Sequence, residues 1–216
     1  MKNLLLLFLL AHLLFACSSV KRPVFEGKIT YRITVSSPTN SPFADSLQNQ
    51  LGHTADFYYK DGDYRLDFNG KPFTKIIYKL STNKQYCILS GKDTVFIDDC
   101  DKDERKLLKS YSEKTDEQIL GKDCQKFVME MSKDTCLFYY SPDLYIPAQN
   151  FKKHQFFHFN TYYKYANAPY LKFVKLGRVF HITYEAIEIE TKQIEDDLFS
   201  IPVDLPHSSF KEKLKK

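Results

Sequence analysis

The chain has 216 residues, 43% of them hydrophobic and 15% aromatic, enough apolar material for a buried core and too much for a disordered, fibrous or low-complexity class. Its 18 Phe and 15 Tyr stand beside 7 Gly and no Trp, a usage that favours pleated sheet, where flat rings pack side by side. The formal charge of +4, from 31 basic against 27 acidic residues, is too mild for a nucleic-acid binder, so no nucleic-acid partner is expected.

The first element is a leader. Lys2 supplies a positive start, Leu4 to Ala16 form an apolar stretch broken only by His12, and the run stops at Cys17-Ser18-Ser19. That pattern predicts a signal peptide over 1–16, too short to span a bilayer as a mature helix. Leu14-Phe15-Ala16-Cys17 resembles the lipobox of bacterial lipoproteins, which implies that Cys17 is acylated and becomes the first mature residue. Several acyl chains then tether the body to a membrane, each buried methylene contributing about 0.8 kcal/mol. The absence of Asp after Cys17 implies, by the sorting rules of such lipoproteins, the outer membrane and its periplasmic leaflet. Residues 17–24 are read as the tether, 25–202 as one folded domain and 203–216 as a basic tail.

From Phe25 to Val35 apolar and polar residues alternate with period two, the mark of a strand with one wet face. Ser41-Pro42 opens a short helix with Phe43, Leu47 and Leu51 on one stripe and Gly52 at its end. Tyr58 to Tyr64 carries the strongest hairpin signal, an Asp61-Gly62 pair suited to a two-residue turn. Such a turn sets Lys60 opposite Asp63, Tyr59 opposite Tyr64 and Phe57 opposite Leu66. Short strands follow at 73–80, 84–90 and 94–98, and the charged segment 99–114 reads as a loop. Further strands are expected at 118–120, 124–131, 136–140, 171–176 and 178–190, the last with a bulge near Glu185. No connection among the strands from 73 to 98 is long enough for a crossover helix, so the sheet is expected to be antiparallel.

Besides Cys17, four cysteines lie at 87, 100, 124 and 136, an even number for an oxidising compartment. Three pairings are open, and Cys100 with Cys124 is preferred because they bracket the charged segment between them. No C-x-x-C occurs to offer a redox pair or a zinc knuckle.

The strings F-E-G-K-I-T-Y at 25–31, Y-Y-K-D-G-D-Y-R-L-D at 58–67, I-L-G-K-D-C at 119–124, S-P-D-L-Y-I at 141–146, A-I-E-I at 186–189 and D-D-L-F-S-I-P at 196–202 resemble, in order and spacing, uncharacterised lipoproteins with a fold similar to that of LolA and LolB. The resemblance implies a mainly β, strongly curved, incomplete antiparallel barrel of about nine to eleven strands, with one to three short helices over its concave face. It also implies an apolar cavity that receives a lipid or acyl chain, and no enzyme activity or cofactor. Inward positions of the first strand and the hairpin, Ile29, Tyr31, Ile33, Phe57, Tyr59, Tyr64, Leu66 and Phe68, are the candidate cavity lining. The competing reading is a barrel filled by its own side chains that docks an envelope protein through an edge or an aromatic surface.

Residues 144–184 hold twelve aromatics and no Asp or Glu. Lys152, Lys153, Phe156 and Phe157 are therefore candidates for a membrane-facing or lid surface, with packing onto the sheet as the plainer alternative. His154 and His158 have a helical metal-site spacing but no acidic neighbour to complete a shell. The acids at 98, 99, 101, 103 and 104 lack the ligand order of a calcium loop and read as a solvated loop. No nucleophile elbow and no evident Ser, His and Asp set support a hydrolase.

Overall fold

The computed structural model describes residues 22–209; Cys17 and the basic residues 211–216 lie outside that range. In chain order the elements are β1 (Gly27–Ser36), α1 (Phe43–Leu51), β2 (Thr54–Lys60), β3 (Asp63–Phe68), β4 (Phe73–Lys79), β5 (Lys84–Leu89), β6 (Val95–Asp99), β7 (Leu107–Glu113), β8 (Gln118–Ile119), β9 (Lys122–Asp123), β10 (Gln125–Met131), β11 (Asp134–Tyr140), α2 (Phe159–Ala166), β12 (Tyr170–Gly177), β13 (His181–Thr191) and β14 (His207–Ser209). Three short 3-10 turns lie at Ala148–Phe151, Phe156–His158 and Asp196–Phe199. No helix among the described residues is long and apolar enough to cross a membrane.

The fold is mainly β. Twelve strands form one open sheet in the order β14-β6-β5-β4-β3-β2-β1-β13-β12-β11-β10-β7, and β8 and β9 form a small hairpin apart from it. Every pairing in the large sheet is antiparallel except the edge pair β14 with β6. Two meanders thus meet at the centre, where β1 pairs with β13 over ten residues and Gly27 stands opposite Thr191. Thr30 faces Glu188 while Tyr31 faces Ala186, so Ile187 is the extra residue of a bulge two positions from where the phase change in the sequence places it.

The β2–β3 hairpin has the expected register: Lys60 pairs with Asp63, Tyr59 with Tyr64 and Phe57 with Leu66. Asp61 and Gly62 both take positive φ, 49° and 99°, as a primed turn requires. Helix α1 is tied to β1 through Gln48, whose side-chain oxygen accepts from Val35 N–H at 2.7 Å and whose Nε2 donates to the Gly52 carbonyl at 2.6 Å. Gly52 ends the helix at φ 76°, where a Cβ would lie 2.1 Å from Asn69 Oδ1, so the turn admits only glycine.

Three expectations are corrected here. Residues 107–113 are not loop but β7, paired with β10; most of its residues are exposed, so no burial alternation marks it in the sequence. The segment after 202 is not all free tail, since 207–209 extend the sheet beside 95–97. And Cys87, Cys100, Cys124 and Cys136 are four buried free thiols, so the expected Cys100–Cys124 bridge is not formed. Cys100 follows β6 near one edge of the sheet and Cys124 precedes β10 near the other, and no strand pairing sets one cysteine against another.

One face of the sheet carries the main core, in which Ile29, Tyr31, Tyr59, Phe138, Ile146, Phe151, Tyr162 and Leu171 are fully or almost fully buried. The other face is covered only locally, where Ile194 and Phe199 close over Ile77. Burying one such large side chain stabilises the fold by about 1.5–3 kcal/mol.

Candidate functional site

Strand alternation sends Phe57 of β2, Tyr64, Leu66 and Phe68 of β3, Ile76 of β4 and Gln85 of β5 to one side of the sheet, and Tyr170 and Phe173 of β12 with Tyr184 of β13 to the same space. Phe156, Phe157, Phe159 and Tyr163 close over them. Between these residues lies a half-open cavity of about 160 Å³.

Its floor is polar. Tyr64 accepts a short hydrogen bond from Gln85 Nε2, and its hydroxyl oxygen lies 3.0 Å from His154 Nε2. With its oxygen already accepting, the hydroxyl donates to Nε2. That places the ring proton of His154 on Nδ1, which has no partner and no exposure. Burial lowers the His154 pKa from 6.5 to about 3, so the imidazole stays neutral through the physiological range. Tyr64 also stacks on Tyr78, ring centres 4.9 Å apart, and on Phe151 at 6.3 Å, and Phe151 stacks on Tyr163 at 3.7 Å, so stacked rings join the floor to the cover.

The cover is a strained flap. Phe157 and His158 are consecutive left-handed residues, at φ 55° and 52°, each costing roughly 1–2 kcal/mol relative to a right-handed conformation. Contacts to the 100–105 segment hold them. Gln155 N–H donates to the Cys100 carbonyl at 2.6 Å, Phe157 N–H donates to Asp103 Oδ2 at 2.6 Å, and His158 Nε2 lies 2.7 Å from the Arg105 carbonyl. The Arg105 guanidinium sits 4.0 Å from the centre of the Phe157 ring.

Behind that ring is a nearly dry charge cluster. Arg105 grips Asp103 through Nε at 2.9 Å and Nη2 at 2.5 Å, and Asp134 lies 3.5 Å from Arg105 and 3.2 Å from Lys175. Asp103 and Asp134 are only 4% and 5% exposed, too little to be solvated without these cations. Burial pushes the Asp103 carboxyl up, but the hydrogen bonds from Arg105 and from Phe157 N–H outweigh it and hold its pKa below the ordinary value. Asp103 therefore does not belong to a solvated acidic loop, as its composition implied.

Of the eight candidate lining residues, Phe57, Tyr64, Leu66 and Phe68 line the cavity. Ile29, Tyr31, Ile33 and Tyr59 do not; they are 0–1% exposed in packed core on the same sheet face, where other side chains fill the space in front of them. Lys152 and Lys153 are exposed, and Phe156 and Phe157, both half-buried, form part of the cavity cover. His154 and His158 diverge, one to the cavity floor and one to the Arg105 carbonyl, and no group of three His, Cys, Asp or Glu among the described residues could hold a metal. On the sheet, Ile76, Gln85, Tyr170, Phe173 and Tyr184 complete the lining unforeseen; their alternation marks a buried face but not which part of it stays open.

A second, wider cleft of about 350 Å³ is bounded by Lys60, Asp61, Asp63, Lys79, Asp196 and Phe199. Four of its five charged residues satisfy one another, Lys60 with Asp196 at 2.6 Å and Lys79 with Asp63, which leaves little unmet demand for a ligand.

No family model matches the chain, and no curated protein does. Among solved structures the chain is similar to PNGF-II in a C2 crystal form, with a TM-score of 0.50 and 13% identity over 88% of this chain and 32% of that one. A P21 form of PNGF-II gives a TM-score of 0.49 and 12% identity. The chain thus spans about a third of PNGF-II, and at this identity the likeness extends to the fold alone.

Proposed function

We propose that this protein is a non-enzymatic, outer-membrane-anchored lipoprotein with a LolA-like half-barrel, tethered through Cys17, that binds an apolar ligand in the ring-lined cavity. The observation that carries the reading is the cavity itself: nine of its residues come from both halves of the sheet and four from the aromatic cover, and none of the thirteen is charged. Its volume of about 160 Å³ is close to that of an apolar cavity known to accept benzene, which is about 150 Å³. A single ring or the end of an acyl chain fits; a whole lipid does not, so the rest of the ligand lies along the open side. Membrane tethering keeps the cavity within reach of bilayer lipid.

The chemistry of the buried nucleophiles agrees with a binding role. Burial pushes the thiols of Cys87, Cys100 and Cys136 up to about 12, which keeps them protonated and unreactive at neutral pH. The neutral His154 has Tyr64 between it and the cavity, and Tyr64 is pushed well above its ordinary pKa by burial.

The full-length chain, extracted from the envelope in mild detergent, tests the reading by native mass spectrometry and lipid analysis. A co-purifying apolar ligand in near-stoichiometric amount, displaced by a fluorescent apolar probe, is the expected result. A clean apo mass with no probe uptake overturns it. In that case the second reading, protein docking, gains weight, and it has its own observation: β7 is an outer strand with one unpaired edge and Leu108 60% exposed on it.

A further inference from the structure

The cavity walls are apolar in bulk but not in detail. Tyr163, Tyr170 and Tyr184 all line the space, and none of their hydroxyls meets a hydrogen-bond partner among the described residues. The fully enclosed polar atoms without a partner are Asp134 Oδ1, His154 Nδ1 and Asn160 Oδ1, and no tyrosine oxygen is among them. The three hydroxyls are therefore neither paired nor sealed off, and the residues that carry them line the cavity. Burial raises the pKa of all three, and Tyr170 adds to the rise at both Tyr163 and Tyr184, as expected of phenols that converge on one region.

A phenol that loses its water to an entering ligand without gaining a partner costs about 1–3 kcal/mol, so a ligand that fills this cavity is favoured when it brings acceptors. A carboxylate is disfavoured all the same, because no cation lines the cavity and an isolated charge there is left desolvated. A plain hydrocarbon end leaves the hydroxyls unpaired. A flat, neutral ring with carbonyl oxygens at its rim satisfies both features: its faces stack on Phe156, Phe159 and Phe173, and its oxygens accept from the tyrosines.

Resting on the apolar-ligand reading above, we propose that the cavity takes the head of a quinone-class lipid, with its ring between the aromatic cover and the sheet and its carbonyls facing Tyr163, Tyr170 and Tyr184. The tail leaves through the open side.

The test compares three probes of one tail length on the full-length protein in detergent: a decyl-tailed benzoquinone, decanol and decanoic acid, each titrated by calorimetry. The quinone is expected to bind at least about ten-fold more tightly than decanol, the equivalent of roughly one to two net hydrogen bonds. The triple variant Tyr163→Phe, Tyr170→Phe, Tyr184→Phe is expected to bring the two within about two-fold, with the larger loss on the quinone. Tyr170→Phe alone, expected to lose about three-fold for the quinone, serves if the triple variant melts early. Equal affinity for quinone and decanol, or a quinone preference that survives the three substitutions, overturns the head-group assignment and leaves apolar binding standing. Failure of all three probes to bind overturns both.

Discussion

Tyr64 and His154 are ninety residues apart in the chain, yet the phenol oxygen of one lies 3.0 Å from Nε2 of the other at the floor of the cavity. The contact fixes the imidazole as a neutral acceptor and joins the first hairpin to the segment that covers it.

Stability is expected to fall as pH falls from about 6.5 towards 3. Folded His154 titrates near 3 while the unfolded chain takes its proton near 6.5, so between those values the unfolded state binds more protons and gains. Each pH unit in that window costs about 1.4 kcal/mol, on the order of 5 kcal/mol in all. His154→Gln, which keeps an acceptor for Tyr64 and has no titration, is expected to flatten the slope of unfolding free energy against pH between 6 and 4. An unchanged slope shows that the imidazole is not the group responsible.

Asp103→Asn removes the carboxylate that receives both Arg105 and Phe157 N–H. Breaking a nearly buried pair from one side costs about 3 kcal/mol, here because Arg105 is left with only its longer contact to Asp134. Urea unfolding measures that loss, and amide exchange is expected to quicken first at residues 155–158. The depressed carboxyl also contributes stability above its ordinary pKa of 3.8 that is lost as pH falls further, below most of the His154 window.

Leu120 sits 47% exposed with φ 52°, and Gly121 follows at φ 71°, a primed two-residue turn between β8 and β9 with the wrong first residue. Leu120→Asn creates the preferred Asn-Gly pair and is expected to stabilise the protein by about 1 kcal/mol. Thermal unfolding reads the gain directly; a lowered midpoint shows that the Leu120 side chain contributes more than its exposure implies.

Reductant is expected to leave the melting temperature unchanged, and iodoacetamide to modify Cys87, Cys100, Cys124 and Cys136 only after denaturation. All four are buried thiols whose pKa is raised by burial. Intact mass after alkylation in guanidinium counts them; a mass lacking two of the four labels restores a bridge.

Leu66→Phe adds a ring to the cavity wall. Uptake of an apolar probe is expected to fall at least ten-fold, with a stability cost below the 1–3 kcal/mol typical of overpacking because the added carbon enters open space. A probe-displacement titration and a melt, run on one sample, separate blocked binding from lost folding.

What could be read from the sequence follows from how local its cause is. The Asp61-Gly62 turn sets strand register by itself, so every pair of the β2–β3 hairpin is legible. Residues 107–113 alternate only weakly because an outer strand need not bury one face. The cavity is half legible for a related reason. Period two identifies the face that carries Ile29, Tyr31, Phe57, Tyr59 and Tyr64, but which of these meets open space depends on where the 144–170 segment lies across the sheet. That placement rests on contacts such as Phe157 with Asp103 and Asn160 N–H with the His154 carbonyl, which no periodicity encodes. The charged loop misled in the same way: Asp103 and Arg105 look solvated until the flap buries them.

The pairing of β1 with β13 has a consequence in time. Residues 27–36 leave the start of the chain long before 181–191 are available, yet they form the longest ladder in the sheet. The meander from β1 to β6 can assemble from neighbours alone, whereas its join to the rest waits on contacts of very high sequence separation, which are slow to form. Until then β1 has a raw edge of apolar and aromatic residues. The period between synthesis and that last docking step is when this protein is most exposed to mispairing with a second copy, and a folding catalyst or holdase acting on it has most to protect there.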